Sequence, residues 1–69
     1  AALRSIRATG DGTQEHPWTV LRINDEYDLL RALKKVPGRQ DLLVADGRRI
    51  DRHTCTDGTL VHFDATALV

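Results

Sequence analysis

One segment alone carries a complete set of helix signals, Asn24 to Gly38. There Leu29, Leu30, Leu33 and Val36, with Tyr27 at the margin, fall on one stripe roughly 100° wide. The flanking residues punctuate this segment as a helix. Asn24 is the expected N-cap, Asp25 and Glu26 favour the positive end of the dipole, and Lys34 and Lys35 favour the negative end. Pro37 and Gly38 are the expected stop. Elsewhere the pattern is that of strands. Trp18–Ile23 alternates with apolar residues on both faces, which predicts a central strand with Trp18 against the core. Leu42–Ala45 is a short apolar strand, and Asp46-Gly47 and Asp57-Gly58 read as hairpin corners. Residues 42–65 therefore read as a three-stranded meander ending in Leu60–Asp64. Residues 1–9 give no clean alternation and read as an extra short strand, a helical turn or a frayed terminus, and Gly10–Pro17 reads as an exposed connector. The expected fold is α+β, a single domain over 1–69 in which one helix packs on a mainly antiparallel sheet of three to five strands.

The spacing of the second corner fixes an expected register. If Asp57-Gly58 is a two-residue loop, Cys55 faces Leu60 and His53 faces His62. Ile50, Arg52, Thr54, Val61, Phe63 and Ala65 then share the helix side. Asp51, His53, Cys55, Leu60, His62 and Asp64 share the outer side. Cross-strand Cβ atoms lie about 4.5–5.5 Å apart, so His53 and His62, with Asp51 or Asp64 beside them, form a candidate metal site for which zinc is the natural ion. The bland reading of the same residues is a solvated outer face, since none of the usual Cys/His zinc spacings is present. In either case the geometry rests on the loop length.

Composition narrows the classes. Ten basic and ten acidic residues cancel, with 41% hydrophobic and 29% charged residues. A neutral chain offers no net field for nucleic acid or an anionic membrane, and no charge repulsion opposes self-association. No apolar run approaches the about 18–20 residues that span a bilayer, so membrane insertion is not expected. The chain opens at Ala1 without a signal-like head, which is compatible with processed export, trimming or a fragment. The single cysteine, Cys55, excludes an internal disulfide. Neither a Walker lysine nor dinucleotide glycine spacing accompanies Gly10-Asp11-Gly12, and Cys55 has no oxyanion partner. Arg48, Arg49 and Arg52 form a small basic patch that reads as a charged guard on a sheet edge.

Gly10-Asp-Gly-Thr, Pro17-Trp-Thr-Val, Asn24-Asp-Glu-Tyr-Asp-Leu-Leu-Arg-Ala-Leu33, Asp46-Gly-Arg-Arg-Ile-Asp51 and Val61-His-Phe-Asp-Ala-Thr66 together resemble a family of functionally uncharacterised small domains of Gram-negative bacteria. Its members are often exported or envelope-associated. The resemblance implies a bacterial source and a periplasmic or secreted location; it supplies no active-site residues. His62 departs from it, standing where a hydroxyl or aromatic side chain is expected. The functional expectation is a non-enzymatic protein–protein interaction module, self-associating or inhibitor-like, with Leu42, Val44 and Leu60 as the apolar centre of the interface, facing away from the helix. The alternatives are a metal-binding domain using the histidine pair and a structural appendage of a larger enzyme.

Overall fold

The computed structural model describes residues 2–68. Its elements are α1 (Ala2–Arg7), β1 (Trp18–Thr19), α2 (Ile23–Ala32), β2 (Pro37–Ala45), β3 (Arg48–Cys55) and β4 (Leu60–Asp64). The four strands form one sheet in the order β1-β4-β3-β2. The expected meander is present as β2-β3-β4, antiparallel throughout, while β1 adds to β4 in parallel, so the sheet is mixed. The α+β class holds, with two short helices instead of one.

Both ends of α2 differ from expectation. Asn24 lies inside the helix, and Arg22 is the N-cap. The Asp25 carboxylate accepts the amide N–H groups of Arg22 at 3.0 Å and Leu21 at 3.3 Å, so the first turn is closed from within. The helix stops at Ala32, before Pro37 is reached. Lys34 takes φ 57, the Lys35 N–H donates to the Leu30 carbonyl at 2.9 Å and the Lys34 N–H to that of Arg31 at 3.0 Å, the two bonds of a Schellman closure. Early closure leaves Val36 exposed and frees Pro37–Asp41 to extend β2. A row of polar residues is tolerated there because β2 lies at the sheet edge.

The strand expected over Trp18–Ile23 is two residues long and sits at the opposite edge, not the centre. Trp18 does pack in the core, its ring centroid 6.0 Å from that of Phe63. Ile6, Trp18, Val20, Leu29, Leu30, Cys55, Val61, Phe63 and Ala65 make up the core between the helices and one face of the sheet. The loop before β1 is closely fitted to it. Gly12 has φ 82, a Cβ there would lie 2.5 Å from the Trp18 ring, and its carbonyl accepts the His62 N–H at 2.8 Å.

The two Asp-Gly corners are different turns. Asp46 and Gly47 both have positive φ, 54° and 74°, as a two-residue hairpin loop requires. At the second corner only Gly58 does, with φ 87; the Gly58 N–H donates to the Cys55 carbonyl at 2.9 Å and the Cys55 N–H to the Thr59 carbonyl at 2.8 Å. That is a type I turn with a glycine bulge, and its loop takes Thr56, Asp57 and Gly58. Cys55 and Thr59 therefore close the loop, Thr54 pairs with Leu60, and His53 pairs with Val61, not His62. One residue of slip turns β3 over relative to β4.

Candidate functional site

The slip redistributes every side chain expected on β3. Asp51, His53 and Cys55 are buried on the helix side with Val61, Phe63 and Ala65, whereas Ile50, Arg52 and Thr54 face the other way with Leu60, His62 and Asp64. His53 and His62 thus stand on opposite faces of the sheet, and so do Asp51 and Asp64. The expected zinc site is not brought together, and among the described residues no group of three or more His, Cys, Asp or Glu side chains is placed to hold a metal. His62 is used in packing: its Nδ1 lies 3.2 Å from the Gly12 carbonyl. Asp64 is engaged by Arg48 at 2.8 Å and by the Thr66 hydroxyl at 2.5 Å. The expected basic patch is likewise dispersed, with Arg52 on Asp41 at 3.1 Å and Arg49 donating to the Leu68 carbonyl at 3.1 Å. Burial pushes the Cys55 thiol up and away from the reactive thiolate.

In place of a metal centre, β3 carries an ionisable group inward. Glu26 and His53 are each 1% exposed, and His53 Nε2 lies 2.8 Å from Glu26 Oε1. Burial raises the pKa of Glu26, as does the Asp51 carboxyl beside it, although the contact with His53 works against the rise. Glu26 Oε2 has no hydrogen-bond partner among the described residues. Tyr27 and Phe63 enclose the imidazole edge-on, both with centroids 5.6 Å away. No periodic signal marks this cluster in the sequence, because Glu26 reads as a helix-start acid and His53 as a surface residue until the register is known.

Asp51 links this cluster to an open surface. Helix α2 lies over β3, where Glu26 and Tyr27 meet His53, and touches β2 through the Tyr27 hydroxyl, which donates to the Gln40 side-chain oxygen at 3.3 Å, while Leu42 and Val44 of β2 stay exposed. Ile23, Leu42, Ala65 and Leu68, with Gln40, Arg49 and Asp51, line a trough there of about 380 Å³. A shallower hollow lined by Leu21, Ile23, Ala67 and Leu68 continues it. Leu42 and Val44 are 52% and 69% exposed, and Leu21 and Ile23 beside the trough are also exposed. Of the three residues expected to form an interface, Leu42 and Val44 do lie together. They are on the helix side of the sheet rather than away from it, however, and Leu60 is on the opposite face.

The edge of β2 completes the site. The corner at Asp46-Gly47 makes Ala45 and Arg48 a hydrogen-bonded closing pair, so alternation turns the main-chain groups of Leu43, Asp41 and Arg39 toward β3. Those of Gln40, Leu42 and Val44 point outward, where no element of the described residues runs alongside. The side chains of these three residues share the helix-side face, and those of Gln40 and Leu42 line the trough. A free main-chain edge and an apolar side-chain floor therefore coincide over one strand.

The fold and this surface define a small α+β domain with a long, open edge strand. No family profile, curated protein or solved structure matches the chain.

Proposed function

We propose that this domain is a non-enzymatic interaction module that docks an extended protein segment along β2. The observation supporting the reading is the nine-residue edge strand whose outward main-chain groups flank exposed Leu42 and Val44. Strand addition uses both features at once. The incoming main chain takes up the free N–H and C=O groups, and alternate side chains settle on the trough face. An occupant of matching chemistry is a strand with apolar residues at every second position. The native β2 edge carries few of the usual guards over Leu42–Ala45; its charges, Arg39 and Asp41, are paired with each other at 3.2 Å.

Selection of extended peptides from a random display library tests the reading, with Leu42→Pro as the counter-target. The Leu42 N–H points outward, so proline there removes a docking donor without removing a bond to β3. The expected result is a set of alternating apolar peptides that bind the native chain and not Leu42→Pro. Peptides that bind both equally, or no enrichment on a chain that sediments as a monomer, refute edge docking.

A further inference from the structure

We infer that the segment received by β2 is the β2 strand of a second copy, giving an antiparallel two-fold dimer with one continuous sheet; this rests on the strand-docking reading above. The strand is complementary to itself. With Leu42 of each copy opposite the other, Gln40 falls opposite Val44, and all the outward-pointing main-chain groups of the two strands meet in hydrogen-bonded pairs. On the trough side Leu42 packs on Leu42, flanked by Val44. On the other side Asp41 falls opposite Leu43 and Arg39 opposite Ala45, so no like charges face each other. Centring the pair one residue earlier sets Asp41 against Asp41, and centring it one residue later shortens the overlap at the Ala45 end.

Charge and shape favour the same partner. The chain carries formal net charge +0, so two copies approach without mutual repulsion. A stable interface withdraws roughly 800 Å² from each partner, about a sixth of the 4655 Å² this chain exposes. A strand-only contact is a narrow ribbon. Here the two-fold axis also sets the two troughs side by side, and Ile23, Leu42, Val44 and Tyr27, all exposed in the single chain, extend the ribbon toward that size. The paired helices then wall an apolar channel floored by Leu42 and Val44 from both copies.

Sedimentation equilibrium over a concentration series, with amide hydrogen exchange on the same samples, decides the matter. The native chain is expected to approach twice its 7.7 kDa mass. Exchange at Gln40, Leu42 and Val44 is expected to slow with concentration, while Leu43 and Asp41, bonded to β3, do not change. Leu42→Pro enters the two-fold interface twice and is expected to weaken association about tenfold or more. A Leu42→Lys, Val44→Lys variant, which leaves the β2–β3 ladder whole, gives the same result and covers the case in which the proline variant misfolds. Leu60→Lys, on the opposite face, is expected to leave the mass unchanged. A monomer at about 1 mM, or a dimer sensitive to Leu60→Lys and indifferent to both β2 variants, overturns the inference. Either outcome leaves edge docking to be judged by the peptide selection alone.

Discussion

Replacing Glu26 by glutamine removes a titration from the core while leaving its shape in place. The Glu26 side chain is enclosed, and its Oε1 lies 2.8 Å from His53 Nε2. Glutamine reproduces the acid in its protonated form, with one acceptor oxygen and one donor group and no titratable proton. Because burial raises the folded pKa of Glu26, the folded chain binds this proton more tightly than the unfolded chain does. Its contribution to stability is therefore greatest below the ordinary carboxyl range and is lost as pH rises through the folded value. Each tenfold difference in proton affinity between the two states is worth about 1.4 kcal/mol. A 69-residue domain at about 0.05–0.15 kcal/mol per residue has roughly 3–10 kcal/mol in total, so the effect is a visible fraction of the whole. Urea denaturation of the native chain and Glu26→Gln between pH 4 and 8 isolates the contribution as the difference between two curves, since Asp51 and His53 remain in both. Glu26→Gln is expected to match the native chain at the acid end and to exceed it increasingly toward neutrality. Glu26→Ala, which strips His53 of its acceptor and opens a cavity, is expected to lose about 2–4 kcal/mol. A glutamine variant less stable than the native chain at pH 7 by more than about 1 kcal/mol refutes the raised pKa.

Two further outcomes follow from the turns. Lys34 closes α2 at φ 57, where a Cβ costs roughly 1 kcal/mol relative to glycine, so Lys34→Gly is expected to raise stability by about 0.5–1 kcal/mol in thermal or urea unfolding. The Lys35 ammonium lies 2.7 Å from Asp57, and this hydrogen bond first, then those from Thr59, hold the Asp57 carboxyl well below the usual range. A depressed carboxylate stabilises the fold above its unfolded pKa and ceases to as pH falls through the folded one; Asp57→Asn is thus expected to destabilise at neutral pH, with the deficit shrinking toward acid in parallel unfolding curves.

Local sequence determined α2 and the three-stranded meander, but not α1 or the extent of β1. The leucine stripe and the acids at its start placed α2, and the two Asp-Gly pairs placed the corners of β2, β3 and β4, because helical periodicity and turn chemistry act over a few residues. The end of α2 was less legible. Pro37-Gly38 is a strong stop, but closure by Leu30, Arg31 and a left-handed Lys34 comes earlier and hands Pro37–Asp41 to the sheet. The candidate surface was legible in part: Leu42 and Val44 follow from alternation, whereas the side of the sheet on which they lie does not.

Tertiary structure alone decided which way β3 faces. Asp-Gly suits a two-residue loop and also the last two positions of a three-residue one, and the difference reverses every side chain from Asp51 to Cys55. At Asp57 the choice falls to contacts beyond the corner itself: the Thr59 N–H is 2.9 Å from the Asp57 carboxylate, and Lys35, 22 residues away in sequence, reaches across from the end of α2. Burying His53 beside Glu26, with Asp51 on the same face, and turning His62 to the other face follow from that choice. Parity in a sheet is a global property, since a single inserted loop residue exchanges inside for outside along a whole strand.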